Sequence, residues 1–415
     1  MQLTRRGLIG SAASATAATS ATIALPVRAR AQARPVIKIG VMNDQSGPYR
    51  DVNGPTSVNC TKFAVEEFKA QGFDVEVIFA DHQNKPDVAA SLAKQWFDQD
   101  GVDVIEDGAA SSCALVINTI CKDKDKVFLS TSTATSDLTG VACTPNTIHW
   151  VLDTYMSAKS TGGAMTKAGG DSWFFITPNY AFGQALQRDA TKFVLDAGGK
   201  VVGDNVYPFP ETTDFSSQLL QAKASGAKVV GLCNAGTDTV NCLKQAREFG
   251  LVQAGVKMAA LLCYSTDVRA VGLEIAQGLL MSEAFYWDLN DRTRAWMERV
   301  KPKVTQYPNS AQAGNYSCTM HYLKAVTAMG PAEAKKSGAA VVAKMKSMKT
   351  DDDCFGAGGV IRADGRKIHP VYLFEAKKPA ESKHSWDLLK VVAVTPAEEA
   401  FRPLNAGLCP LVAKA

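Results

Sequence analysis

Val102-Asp103-Val104-Ile105-Glu106-Asp107-Gly108-Ala109-Ala110-Ser111-Ser112 begins as a short apolar run and turns through small residues into a helical stretch that reaches about Cys121. A strand, a tight turn and a helix in that order make one βα unit. Upstream, residues 37–42 form an apolar run, followed by a polar loop over 43–54. A helix is expected over 57–69, with Ala64, Val65 and Phe68 on one face. A strand over 75–80 and a helix over 87–97 follow, with Asp87 as the expected N-cap. Downstream, 127–129 is a fourth strand ending in Ser130-Thr131-Ser132-Thr133.

The rhythm then starts again. Strands are expected at 173–176, 200–206, 229–233, 258–263 and 279–284, and helices at 182–197, 215–224 and 237–249. Helical segments at 292–306, 315–328 and 339–348 precede a strand-rich tail over 360–394, in which Asp364-Gly365-Arg366 signals a hairpin turn. Two βα arrays, each with a short parallel sheet, are the expected product.

The first 33 residues read as a leader. Thr4-Arg5-Arg6-Gly7-Leu8-Ile9 is a twin-arginine start, and Ala31-Gln32-Ala33 is a small-x-small cleavage pattern. Ser and Thr interrupt residues 8–25 too often for a membrane span. Export by a bacterial cell is expected, with a mature chain from Arg34. Arg5, Arg6, Arg28 and Arg30 account for the whole net charge of +4, so the mature chain is neutral and a nucleic-acid role loses its basis. Apolar residues at 46% and charged residues at 21% are those of an ordinary globular chain, long enough for two domains.

Ten cysteines all lie after the leader, without CxxC or zinc-type spacing. One or two disulfides are expected in an oxidising compartment, with Cys233 and Cys263 read as small core or pocket residues.

In open α/β sheets, ligands bind beyond the carboxyl ends of the strands. Here those ends carry Asn43, Ser111, Ser112, Ser130, Ser132, Thr133, Asn179, Asn234, Ser265 and Thr266, with Tyr49, Tyr180, Phe182 and Tyr264 in the same loops. Hydroxyls and free helix-start amides suit a carboxylate, and aromatic walls suit an apolar body. Any single Ser or Thr there can simply cap a helix; the clustering is the signal. No HExxH, GxSxG, Walker A or GxGxxG motif occurs, and Gly356-Ala357-Gly358-Gly359 lacks the dinucleotide spacing. His149 and His321 read as structural, and Asp351-Asp352-Asp353 as a solvated turn. Binding without catalysis, cofactor or metal is the expectation.

Residues 37–41, Ser46-Gly47-Pro48, residues 108–112 and 130–139, Tyr180-Ala181-Phe182-Gly183, Asp214-Phe215-Ser216-Ser217 and residues 276–285 together resemble the type I periplasmic binding proteins of the branched-chain amino-acid kind. That resemblance spans essentially the whole mature chain. It implies a two-lobed α/β fold of Venus-flytrap form with three crossovers, the lobes being 34–153 with 284–359 and 154–283 with 360–415. It also implies closure on one small carboxylate, and delivery of that ligand to the membrane permease of an ABC importer by a monomeric mature protein. By position, Ser111, Ser112, Ser132 and Thr133 would clamp the carboxylate, and Phe182 with Tyr180 would cover the ligand. The loops from Asn234 to Asp238 and around Tyr264 and Asp267 would face the cleft.

In amino-acid binders of this kind the latter loop gives an acid to the ligand ammonium. Here Tyr264 occupies it and Asp267 is displaced, which raises an aromatic acid to nearly equal standing. A ligand-sensing lobe for a signalling receptor and an exported hydrolase are the competing classes. The first would need a different partner and the second a nucleophile–base pair.

Overall fold

The computed structural model of the protein describes residues 34–412. β1 (Val36–Asn43), β2 (Asp74–Asp81), β3 (Val104–Asp107), β4 (Val127–Ser130) and β5 (Thr147–His149) form a parallel sheet in the order β2-β1-β3-β4-β5. β6 (Ser172–Pro178), β7 (Lys200–Tyr207), β8 (Val229–Leu232) and β9 (Lys257–Ala260) form a second parallel sheet in the order β7-β6-β8-β9. In each sheet the chain steps to one side of its first strand and then to the other. Adjacent loops diverge at that reversal, leaving a crevice at the strands' carboxyl ends.

The remaining strands are antiparallel. β10 (Leu280–Glu283) pairs with β14 (Val371–Ala376), which pairs with β15 (Leu389–Thr395). β11 (Thr350–Asp352), β12 (Gly356–Ile361) and β13 (Lys367–Ile368) make a small separate sheet. Phe374, Ala376, Leu388 and Leu389 share a buried cluster with Phe174, Ile176, Val230 and Leu232, so the β10 sheet belongs to the core of the second array. Helix Ser310–Met329 returns to the first array. There Tyr316 stacks on Phe63 at 5.8 Å, and Thr319 joins Thr61 in donating to Glu106.

The expected βα order stands, with four adjustments. Helix Pro86–Gln95 is preceded by Lys85, and Asp87 lies inside its first turn instead of capping it. Pro86 takes the first helical position because its missing N–H needs no partner there, and the Asp87 carboxylate then favours the positive end of the helix dipole. Asp351-Asp352-Asp353 is no solvated turn. Asp352 is buried and accepts from Ser317 and from the backbone of Cys354 and Phe355, while Asp351 and Asp353 pair with Arg292. β5 and the helical stretch from Thr154 to Lys167 were not anticipated, because their small and polar residues show no clear apolar period. Cys143 and Cys409 form a disulfide that ties the chain after β4 to the C-terminal tail. The other eight cysteines, Cys233 and Cys263 among them, are buried and free. Gly365, at φ +84°, makes the turn between β12 and β13.

Candidate functional site

β3 ends under strain. Asp107, Gly108 and Ala109 have φ of +84°, +91° and +38° in succession. For the two non-glycine residues such angles cost about 1–3 kcal/mol each and persist only where the surroundings enforce them. Gly108 is required sterically as well, since a Cβ there would lie 2.7 Å from the Phe128 ring. The turn delivers the chain straight into helix Ser111–Asp123. Its N-cap residue, Ala110, has no side-chain acceptor to occupy the first-turn amides.

Ser111 Oγ accepts from the Thr135 amide at 3.2 Å, which leaves its own hydrogen to give. Ser132 differs: its hydroxyl donates to Asp107 Oδ1. Asp107 Oδ2 accepts from Asn43 Nδ2 at 2.8 Å and Asn315 Nδ2 at 3.4 Å. Burial pushes the Asp107 carboxyl above its usual range, against the opposing pull of these hydrogen bonds.

The facing wall comes from the second sheet. Tyr180 precedes helix Ala181–Asp196, whose first turn carries Phe182, and Tyr264 precedes helix Ser265–Val271. Tyr180 stacks on Phe209 at 4.5 Å, and Tyr49, from the loop after β1, stacks on the same ring at 5.2 Å. Tyr49 and Tyr180 share a hydroxyl–hydroxyl bond of 2.5 Å, which joins the two walls. A second bridge runs from the Thr237 amide to the Pro48 carbonyl at 3.1 Å. Beside it, Gly236 (φ +60°) comes so close that a Cβ would lie 2.5 Å from the Pro48 oxygen.

Between the walls lies a cavity of about 20 Å³ lined by Tyr49, Ser111, Ser132, Tyr180, Phe182 and Tyr264, all expected from the sequence. Val52, Asn53, Ala109, Ala134, Ala235 and Leu262 complete it. The Tyr264 hydroxyl is buried without a partner. A wider groove of about 550 Å³ between helix Ala181–Asp196 and β14–β15 holds none of the strand-end residues.

Five other expected residues do not line the cavity. Ser112 is half-buried one step into its helix, and Thr133 is buried behind Gly108. Asn234 accepts from Thr239 at 2.8 Å and donates to Cys242 Sγ. Asp238 accepts from the Tyr207 hydroxyl at 2.7 Å, and Asp267 from the Tyr264 amide at 3.0 Å. Short polar side chains at helix starts satisfy nearby groups first, which turns these away from the cleft. Burial raises both carboxyls to about 7. Glu283, also raised to about 7 by burial, accepts from the amides of Ser265 and Ser310, bridging two helix starts. Asp107 belongs to this wall without being among the expected residues; its signal in the sequence is an acid at the end of an apolar strand. His149 and His321 meet the carbonyls of Thr133 and Met345, as structural histidines do. Among the described residues no group of His, Cys, Asp and Glu could hold a metal ion.

A family model described as periplasmic binding protein matches residues 36–383. The chain belongs to the periplasmic binding proteins. A periplasmic binding protein of Burkholderia mallei is 44% identical to it, covering 91% of this chain and 99% of that one with a TM-score of 0.86. A branched chain amino acid ABC transporter periplasmic ligand-binding protein of Burkholderia xenovorans is 38% identical, covering 90% and 99% with a TM-score of 0.78. A solute binding protein of an ABC transporter from R. palustris, in complex with benzoate, shares the fold at 19% identity, covering 87% and 97% with a TM-score of 0.77. No curated protein matches. The two walls of this binding protein therefore face each other across the cleft of a two-lobed type I fold, and membership implies the periplasm. No helix among the described residues is long and apolar enough to cross a membrane. The twin-arginine leader expected over residues 1–33 lies outside the described residues.

Proposed function

We propose that the protein is the extracytoplasmic receptor of an ABC importer and that its ligand is a small aromatic carboxylate. One observation carries the ligand class: Asp238 and Asp267, the two acids that could meet an ammonium, are turned onto Tyr207 and the Tyr264 amide, while the cavity wall is aromatic. A buried ammonium without an opposing carboxylate is strongly disfavoured. Ser111, with its free hydroxyl hydrogen, and the uncapped helix start beside it suit the carboxylate end. At about 20 Å³ the cavity admits such a ligand only when the walls part, so binding runs through opening at the Tyr49–Tyr180 and Thr237–Pro48 bridges. The lobes proposed for this motion are 34–153 with 284–359 and 154–283 with 360–415. The mature chain is proposed to be monomeric, non-catalytic and exported by the twin-arginine route, on the strength of Arg5-Arg6.

A branched-chain amino acid is the second reading, favoured by the Burkholderia xenovorans relative. Thermal shifts of the mature protein with benzoate, 4-hydroxybenzoate, leucine and valine separate the two. The aromatic acids should raise Tm in both the wild type and Asp267→Asn. A shift with leucine that vanishes in Asp267→Asn would establish the amino-acid reading instead.

A further inference from the structure

Ser132 meets the cleft with its hydrogen already committed to Asp107. A hydroxyl has one hydrogen, so a Ser132 that donates to an ionised Asp107 can only accept from a ligand. It then turns lone pairs toward an incoming carboxylate and repels it. If Asp107 carries a proton, the pair reverses: Asp107 Oδ1–H donates to Ser132 Oγ, and the serine hydrogen is freed for the ligand. The geometry allows the reversal without moving a heavy atom, because Asp107 Oδ2 already serves as acceptor for both amides, Asn43 and Asn315. We propose that Asp107 is a positioning residue that makes Ser132 a carboxylate donor only when protonated, so that each carboxylate ligand is bound together with one proton from solvent.

The surroundings of Asp107 favour this coupling. From its own strand comes Glu106, held by Thr61 and Thr319, whose carboxyl burial raises to about 8. Helix Ser310–Met329 presents Cys318 and Asn315, helix Gly54–Phe68 presents Ser57, and the helix start at Tyr264 presents a phenol. His82 lies beside the following Gly108 and is held neutral by burial, at about 4. No lysine or arginine is in this set to hold the carboxyl ionised. A ligand anion arriving at Ser132 adds a further negative charge and drives the proton on.

The inference rests on the carboxylate reading above, and titration calorimetry with benzoate tests the two apart. Benzoate stays ionised between about pH 5.5 and 8.5. Measured in buffers of different ionisation enthalpy, wild type should take up about one proton per benzoate. Its Kd should rise about tenfold per pH unit above the folded pKa of Asp107. Asp107→Asn places an amide N–H where the protonated carboxyl would be and frees Ser132 permanently. It should bind benzoate with no proton uptake and a flat pH profile, and more tightly than wild type at the alkaline end. Ser132→Ala should flatten the profile as well, through loss of the donor. Benzoate binding by wild type without proton uptake would overturn the inference, which is decided even if a variant fails to fold. So would an undiminished pH slope in Asp107→Asn, which would place the proton on Glu106, Asp238, Asp267 or Glu283. If wild type binds no aromatic acid at any pH, the aromatic-carboxylate reading of the site fails with it.

Discussion

At the end of β3 the chain passes through three left-handed residues into Ser111, whereas at the end of β6 it enters its helix through Tyr180 in a fully extended conformation (φ −157°, ψ 176°). Both are a strand end feeding a helix start, yet they produce opposite surfaces. The first wall is polar and strained: hydroxyls, an uncapped helix start, and an acid held by two amides and a serine. The second wall is aromatic and relaxed, with Tyr180, Phe182 and Tyr264 packed into the same core that holds the sheet. The difference teaches a division of labour. On the proposed function the first wall would read charge through its hydroxyls and helix start. The second would read shape, and its side chains are also structural.

The sharpest way to break that division is to truncate one residue on each side. Phe182 is 2% exposed in a packed first turn, so Phe182→Ala should lower folding stability by about 3–5 kcal/mol as well as weaken binding. Ser111→Ala should weaken carboxylate binding by about 1.5–3 kcal/mol, the worth of a hydrogen bond to a charged acceptor, and should lower folding stability by less than Phe182→Ala does, about 1–3 kcal/mol for the Thr135 amide left unpaired. Chemical denaturation and calorimetry on the two variants decide it. If Ser111→Ala unfolds the protein as readily as Phe182→Ala, the walls do not divide the work.

How much of this could be read from residues alone follows from the same contrast. The aromatic residues of both walls are legible because large side chains next to a strand end have few places to go: Tyr49, Tyr180, Phe182 and Tyr264 all reach the cavity. The polar wall was half legible. Ser111 and Ser132 reach it, while Ser112, Thr133, Asn234, Asp238 and Asp267 lie off it, because a short hydroxyl, amide or carboxylate finds a partner within a few residues of itself. Which partner wins is settled by tertiary distances that no spacing encodes. The βα order was legible throughout because buried parallel strands are apolar runs. β5, only three residues of mixed character, was not.

A middle-sized effect separates the acids of the second wall from the hydroxyls of the first. Asp267 is raised to about 7 by burial, while in the unfolded chain an aspartate titrates near the ordinary 3.8. Between these pH values the folded state binds a proton that the unfolded state does not, so this residue's contribution to stability falls as pH rises from about 4 to about 7. Buried neutral histidines such as His82, lowered to about 4, pull the opposite way over part of that range. The comparison must therefore be made against a variant. Asp267→Asn keeps an oxygen for the Tyr264 amide and removes the charge. Its stability relative to wild type should climb by up to about 1.4 kcal/mol per pH unit across that window and level off above it. A stability difference that stays constant from pH 4 to 7 would show that Asp267 titrates like a solvated acid.

The smallest effect lies where the walls touch. Tyr49 and Tyr180 join hydroxyl to hydroxyl across the cleft, with Phe209 stacked against both rings. Tyr49→Phe removes the oxygen and leaves the ring contact, so the second wall keeps its shape and only the bridge is lost. A neutral hydrogen bond contributes about 0.5–1.5 kcal/mol, and here it is made only when the lobes are shut. The closed form should lose that much relative to the open one, which small-angle scattering reads as a larger mean radius of gyration without ligand. Ligand affinity should fall by no more than about tenfold, the equivalent of about 1.4 kcal/mol, because the ring that covers the ligand remains. A loss as deep as that of Ser111→Ala would mean that the Tyr49 oxygen touches the ligand itself, which would spread charge recognition along the first wall from Ser111 to the loop after β1.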